Sequence, residues 1–167
     1  SQYQTSRVLQ KGDVLLTELS AHFVEGYPGQ ILRPFAIGTP PTPTYQRMYD
    51  VAVEAFNRLS NVIKAGASTE EVLDTAEYIH NEGYTIYDDL VHSLGGGYLP
   101  PILRTRRTSP RLAPPYIYRE NMTIVIQPNV VTEDEKMGVQ VGHMLRVTKT
   151  GVESLHRYPM RFIQCGM

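Results

Sequence analysis

The chain has 167 residues, with 16 basic and 17 acidic side chains, so its net charge at neutral pH is −1. This balance gives no support to nucleic-acid or anionic-membrane binding, and we expect neither partner. The hydrophobic fraction of 41% is typical of a folded globular chain, but no apolar run approaches the roughly 20 residues of a membrane helix. The single cysteine, Cys165, excludes an internal disulfide and fits a reducing, cytoplasmic compartment.

The chain begins with a predicted hairpin. Residues 14–23 alternate as a strand, a turn follows at 25–29, and residues 30–37 return as the partner strand. Pro34 cannot donate a ladder hydrogen bond, which places this second strand at an edge or a bulge.

Two helices follow a proline-rich linker at 38–43. Apolar residues recur every three or four positions from about residue 44 to 63, the pattern of an amphipathic helix. Ser68 and Glu71 form a capping box that begins a second helix, and Gly83 ends it.

Residues 84–120 are predicted to be the least regular part of the chain. A basic cluster lies there among prolines: Arg104, Arg106, Arg107 and Arg111. Two interpretations stay open, a solvated basic loop and a contact for an anion or a partner.

The last third predicts a meander of an apolar strand, an acidic turn and two further strands: 122–126, 133–135, 139–148 and 152–155. Such a meander places Gln127 beside Gly142 and His143 within one sheet. Together these elements predict an α+β domain, with helices on one face of a mainly antiparallel sheet.

This region resembles the end of the pita-bread catalytic domain shared by Xaa-Pro aminopeptidases, prolidases, methionine aminopeptidases and creatinase. The peptidase pattern is roughly G-M-V-x-T-I-E-P-G, then G-V-R-I-E-D-x-V-L-V-T-x-x-G-x-E-x-L. This chain reads N-M-T-I-V-I-Q-P-N and G-V-Q-V-G-H-M-L-R-V-T-K-T-G-V-E-S-L. The resemblance implies a single truncated pita-bread domain over 1–167, with a curved sheet, helices on its outer face and an incomplete first lobe.

The resemblance extends to the first hairpin and to the metal-binding histidine. The family's D-I-T-R-T-F falls on Q-I-L-R-P-F at 30–35, and its G-H-G-I-G falls on V-H-S-L-G at 91–95. In the peptidases, two Asp, one His and two Glu hold two Mn, Co or Zn ions. Those five positions fall here on Glu18, Gln30, His92, Gln127 and Gly142.

This donor set has too little negative charge for two cations. Hard divalent ions need carboxylate ligands, and a single carboxylate would not hold two ions roughly 4 Å apart. We therefore expect no metal cofactor and no metal-dependent peptidase activity.

Three hypotheses follow from the resemblance. The first is a pseudopeptidase that binds a peptide, a small molecule or a protein partner. Its candidate ligand region contains Glu18, Gln30, Gln127 and His143. The first three would form either a polar network that replaces the ions or a site for a guanidinium or amide group.

The second hypothesis is a metal-independent hydrolase of creatinase type, with His92 as general base. The third is an active Xaa-Pro metallopeptidase whose carboxylates come from the turn at 133–135. Structural roles for His92 and His143 are the alternative to all of these assignments. Family members commonly dimerise, so we also expect a homodimer.

Overall fold

In a computed structural model of the chain, residues 6–23, 26–109, 111 and 114–166 are described, with the side chain of Phe23 left aside. The helices are α1 (Pro43–Val62) and α2 (Thr69–Asn81). The strands are β1 (Val14–Phe23), β2 (Tyr27–Ile37), β3 (Val91–Leu94), β4 (Tyr98–Leu103), β5 (Thr123–Ile126), β6 (Asn129–Val131), β7 (Gly138–Gln140), β8 (Gly142–Val147), β9 (Val152–Ser154) and β10 (Ile163–Cys165). The turn predicted at 25–29 includes Glu25, which is outside the described residues.

Eight of these strands form one sheet in the order β1-β2-β8-β5-β3-β4, with β9 against β8 and β10 against β2. Strands β6 and β7 pair separately. Every pairing between these strands is antiparallel except that of β10 with β2. The predicted α+β class and mainly antiparallel sheet are confirmed.

Both helices pack on one face of the sheet. Their buried side chains join alternate residues of the central strands in one apolar core, which includes Met48, Val51, Leu59, Val72, Ile79, Ile124, Ile126, Leu145 and Val147. The alternation leaves the other residues of these strands for the opposite face. In the described part of the chain, neither helix is long and apolar enough to cross a membrane.

Local sequence signals account for the helix ends. Thr42 caps α1 ahead of a proline in its first turn, and Ser68 caps α2. The capping box is complete, because the Ser68 hydroxyl accepts from the Glu71 amide and the Glu71 carboxylate accepts from the Ser68 amide. Gly83 follows α2 with a φ of 84°, a left-handed conformation that favours glycine.

Several strand predictions are wrong in part. β2 begins at Tyr27, inside the predicted turn, and it lies between β1 and β8 instead of at an edge, with Pro34 in regular register opposite Leu16. The region 84–120 contains the hairpin β3–β4, closed by the glycine run 95–97. β3 has only four residues and β4 contains Pro100 and Pro101, so neither strand shows a recognisable alternating pattern. The strand predicted at 139–148 is divided at Val141 into β7 and β8.

Two of the four arginines in the basic cluster are held against α2. Arg106 pairs with Glu70 and Asp74, and Arg107 pairs with Glu77. These three carboxylates lie along one side of α2 at spacings of four and three residues. This arrangement favours the solvated-loop interpretation, in which exposed pairs of this kind contribute about 0–1 kcal/mol each.

We expect Ser68→Ala to lower the free energy of unfolding by about 1 kcal/mol, because it removes the cap of α2. Ser60→Ala is the matched control, since the buried Ser60 hydroxyl has no hydrogen-bond partner within the described residues. We expect the control to be neutral or slightly stabilising. Urea unfolding of both variants measures the difference, and equal losses would contradict the capping role.

Candidate functional site

The strand registers assign the site residues to the face turned away from the helices. Directly opposed residues of neighbouring strands share a face. Leu32 of β2 is opposite Gly142 of β8, and Met144 of β8 is opposite Val125 of β5. Val125 is in turn opposite His92 of β3. We call this side the open face.

Four buried side chains on or beside the open face form a hydrogen-bonded chain. The Gln30 amide nitrogen lies 2.8 Å from Oε1 of Gln127 and 3.4 Å from Nε2 of His92. The Gln127 amide donates to Asp89 over 3.2 Å. His92 Nδ1 lies 3.2 Å from the Ser93 carbonyl oxygen, so a proton on Nδ1 leaves Nε2 free to accept from Gln30. These four residues, Gln30, Asp89, His92 and Gln127, are the amide network.

Tyr98 covers the amide network from the hairpin β3–β4. Its hydroxyl donates to Asp89 over 2.6 Å, and its ring stacks on His92 with centroids 3.9 Å apart. His92 is 0% exposed beneath it, and Gln30 and Gln127 are 2% and 1% exposed. The side chains of the amide network therefore contact one another instead of lining an opening.

Burial keeps the amide network nearly neutral. It raises the pKa of Asp89 to about 7, assisted by the nearby Asp88 and opposed by the Tyr98 hydroxyl. Burial also lowers the pKa of His92 and raises that of Tyr98. At neutral pH the network carries at most the single negative charge of Asp89.

Gly142 lies where no side chain fits. A Cβ at this position would lie 2.6 Å from Cδ1 of Leu32, 2.8 Å from the carbonyl oxygen of Ile126 and 3.0 Å from Cα of Gln127. Leu32 is fully buried, and it stands where the family pattern has a threonine. Relative to that pattern, this chain has a smaller residue at position 142 and a larger side chain at position 32.

Asn129 fixes the segment that carries Asp89. Its side-chain oxygen accepts from the backbone amides of Tyr87 and Asp88, and its side-chain nitrogen donates to the carbonyl oxygens of Asp88 and Asp89. Asn129 stands where the family pattern has the glycine of E-P-G. Asn129 therefore holds the backbone of the segment that carries the Asp89 carboxylate.

Glu18 shares the open face but is exposed. It is opposite Leu32 in the pairing of β1 with β2, two residues from the pair formed by Ser20 and Gln30. Its carboxylate accepts a hydrogen bond from the Ser20 hydroxyl over 3.2 Å. Partial burial raises the pKa of Glu18, as does Asp88, although the Ser20 hydroxyl opposes the shift.

His143 points to the opposite face. Its Nε2 accepts from the Arg33 guanidinium, and its Nδ1 lies 3.1 Å from the Ser154 hydroxyl. Arg33 is 3% exposed, and its other N–H groups donate to carbonyl oxygens of residues 32, 142, 158 and 159. Burial, Arg33 and His156 lower the pKa of His143 to about 4, so the ring is neutral at pH 7.

The structure thus brings together three of the predicted site residues, Gln30, His92 and Gln127. Glu18 lies on the same face, and His143 lies on the other. Sequence reasoning gave no role to Asp89, although an acidic pair directly before a short apolar strand was a visible signal. It also missed the exchange between Leu32 and Gly142, which the family pattern contained.

The acidic turn at 133–135 is exposed. The Asp134 carboxylate accepts from the Thr132 hydroxyl and pairs with Lys136. Across the described ranges, no three His, Cys, Asp or Glu side chains are grouped so that they could hold a metal ion.

The curved antiparallel sheet, its two helices and the position of the amide network define the pita-bread class. The chain belongs to metallopeptidase family M24, whose family model matches residues 1–149. It is 26% identical over 173 residues to methionine aminopeptidase A from Synechocystis sp., covering 89% of this chain and 64% of that protein. The chain therefore spans less than two thirds of that relative.

Solved structures give the same fold. The X-Pro aminopeptidase from Thermotoga maritima superposes with a TM-score of 0.82 at 22% identity, over 96% of this chain and 44% of that one. The prolidase from Thermococcus sibiricus gives 0.81 at 23% identity, over 98% and 43%. The Xaa-Pro dipeptidase from Bacillus anthracis gives 0.78 at 25% identity, over 96% and 44%. The predicted pita-bread fold is confirmed, and the chain spans less than half of these three proteins.

We expect Gly142→Ala to lower the free energy of unfolding by about 1–3 kcal/mol, because the carbonyl of Ile126 cannot move aside easily. Gly138→Ala is the control, since its Cβ would meet Val131 at an ordinary 3.6 Å. We expect the control to change stability by less than about 1 kcal/mol. Adding Leu32→Ala to Gly142→Ala should cost less than the sum of the single changes. Equal losses for the two glycine variants in chemical unfolding would contradict this packing.

His143 should make the folded state less stable in acid. The folded-state pKa of about 4 lies below the ordinary 6.5, so the unfolded chain binds the additional proton between these values. Stability from this group is complete above pH 6.5 and falls as the pH drops towards 4, by on the order of 2 kcal/mol.

His143→Gln isolates this effect, because the glutamine oxygen accepts from Arg33 but does not titrate. We expect the stability advantage of the natural chain over the variant to shrink between pH 7 and pH 4. Urea unfolding at several pH values measures the difference. A constant difference would contradict the lowered pKa of His143.

Proposed function

We propose that this chain is a non-hydrolytic member of family M24, in which the amide network replaces the dinuclear metal site. The hydrogen bond of 2.8 Å between Gln30 and Gln127 carries this proposal. It joins two positions at which the family resemblance places metal-binding carboxylates. The same two side chains cannot bond each other and also enclose a pair of ions.

The charge of the donor set supports the proposal. Two divalent cations bring four positive charges, and the family balances them with four carboxylates. Here the carboxyl groups are Glu18, on the open face, and Asp89, in the amide network. Burial raises the pKa of both, that of Asp89 to about 7, so Asp89 is partly protonated at neutral pH. Glutamine oxygens can ligate a metal but bring no charge, so these residues do not fit the family's ion pair.

The packing of Leu32 against Gly142 supports the proposal independently of the charge argument. Leu32 occupies the space into which a side chain from position 142 would extend, so the fifth ligand position has neither a side chain nor room for one. The direct pairing of Gly142 with Leu32 supports the alignment of position 142 with the family's ligand position.

We further propose that the chain binds a peptide-like ligand in the groove at Tyr87 and Asp88, the residues directly before Asp89 of the amide network. This groove has a volume of about 540 Å³, and its lining includes Tyr87, Asp88, Arg104 and Glu135. The similar structures from Thermotoga maritima and Bacillus anthracis are peptidases named for Xaa-Pro substrates. Charges of both signs in the groove suit the ends of a short peptide.

The other two hypotheses have less support. A creatinase-type reaction needs a substrate in contact with His92, and Tyr98 stacks on that fully buried ring. A dinuclear peptidase needs carboxylates beside His92, whereas those of 133–135 are exposed in a turn.

Metal analysis of the purified chain tests the proposal. After incubation with Mn²⁺, Co²⁺ or Zn²⁺ and desalting, we expect the chain to retain no stoichiometric amount of metal. We also expect no hydrolysis of Xaa-Pro peptides or of peptides with an N-terminal methionine. Two tightly held ions per chain, or hydrolysis abolished by EDTA, would contradict it.

A variant with Gln30→Asp, Leu32→Thr, Gln127→Glu and Gly142→Glu should gain metal affinity relative to the natural chain. Its control carries Gln10→Asp, Asn57→Glu and Gln164→Glu, which add the same three carboxylates at exposed positions. We expect the control to bind metal no better than the parent. Calorimetric titration with Mn²⁺ compares the three proteins.

A further inference from the structure

Three side chains connect the end of α2 to the groove at Tyr87 and Asp88. The Nε2 atom of His80, in the last turn of α2, lies 2.7 Å from the Thr105 hydroxyl. The Thr105 hydroxyl lies 2.9 Å from the hydroxyl of Thr108, which lines the groove. Thr105 is fully buried, so water does not compete for these hydrogen bonds. We call His80, Thr105 and Thr108 the hydroxyl relay.

The carbonyl group of Tyr84 fixes the direction of every hydrogen bond in the hydroxyl relay. Its oxygen lies 2.9 Å from Nδ1 of His80 and can only accept, so the single N–H of the neutral imidazole is at Nδ1. The Nε2 atom then accepts from Thr105, which uses the one proton of that hydroxyl. Thr108 therefore donates its own proton to Thr105, and its oxygen presents only lone pairs to the groove.

The other polar side chains of the groove also favour a ligand that donates hydrogen bonds. The carboxylates of Asp88 and Glu135 are acceptors, and no ion pair within the described ranges includes either of them. One oxygen of Asp88 accepts from the Asp89 amide over 2.9 Å, which holds this carboxylate in place. Among the described residues that line the groove, the one cation is Arg104, whose guanidinium donates to the carbonyl oxygen of Tyr87. Negative charge therefore exceeds positive charge in the groove.

We propose that the groove binds the free amino terminus of a peptide, and that the Thr108 hydroxyl determines this specificity. The inference rests on the peptide ligand proposed above. An α-ammonium group has three N–H donors and no acceptor, which matches the carboxylates and the lone pairs of Thr108. A ligand that presents an acceptor to Thr108 would leave two oxygens facing each other without a proton between them. His80 and Thr105 are positioning residues, because they hold Thr108 in its accepting state without contacting the ligand.

Two dipeptides test the specificity of the groove: Ala-Pro and its N-acetyl derivative, which has no ammonium group. NMR titration of the whole chain at neutral pH measures both affinities, and the shifted backbone amides locate the binding site. We expect Ala-Pro to shift the amides of 85–88 and 104–108 and to bind at least about tenfold more tightly than the acetylated form. Thr108→Val should lower the affinity for Ala-Pro by about tenfold and leave that for the acetylated form unchanged, because valine has a similar shape but no acceptor. Thr108→Ser should retain the natural affinities.

Substitution of Thr105 tests the hydroxyl relay. Thr105→Val releases the Thr108 proton, so the preference for Ala-Pro should fall, whereas Thr105→Ser should retain it. Thr150→Val, in an exposed turn, is the control and should leave both affinities unchanged. If Thr105→Val does not fold, the part-buried Thr108 still gives a variant that decides the question.

The outcomes separate this inference from the peptide binding on which it rests. Equal affinities of the natural chain for the two dipeptides in the groove, or a full preference in Thr108→Val, would overturn the inference and leave the peptide ligand in place. A full preference in a folded Thr105→Val variant would overturn the role of the hydroxyl relay. Binding of neither dipeptide, or shifts confined to amides outside the groove, would overturn both the peptide ligand and the inference.

Discussion

The contact between Gln30 and Gln127 determines what the open face can do. Each amide can donate and accept, so the two side chains bond each other and still reach His92 and Asp89. Carboxylates at the same positions would repel each other in the absence of a cation. The neutral pair is thus stable as a closed, buried arrangement, and the stacked ring of Tyr98 can cover it without enclosing unpaired charge.

The opposite face of the same strands contains a buried positive charge, the guanidinium of Arg33. Arg33 is buried, and among the described residues no carboxylate accepts from it; its N–H groups are directed to carbonyl oxygens and to neutral His143. These bonds tie the segment at 158–159 to β2 and β8. The central strands therefore carry a nearly neutral network on one face and a buried arginine on the other. Backbone carbonyl groups accept the hydrogen bonds of this arginine in place of water.

Local signals were sufficient to predict the helices, because an apolar stripe and the capping pair of Ser68 and Glu71 depend only on residues that are close in the sequence. The family pattern supplied the fold and brought Gln30, His92 and Gln127 to one place. It did not reveal Asp89, since the burial of that carboxyl depends on tertiary contacts with Tyr98 and Gln127. The orientation of His143 follows from strand alternation, because residues adjacent in a strand face opposite sides.

The close packing of Leu32 against Gly142 limits which substitutions the two positions can accept. With leucine in place, any single substitution that adds a side chain at position 142 meets an occupied space and the carbonyl of Ile126. A glutamate at position 142, as in the family pattern, would first require a smaller residue at position 32, and that single change by itself opens a void beside Gly142. Positions 32 and 142 can therefore exchange volume only together, because each single substitution alone is destabilising.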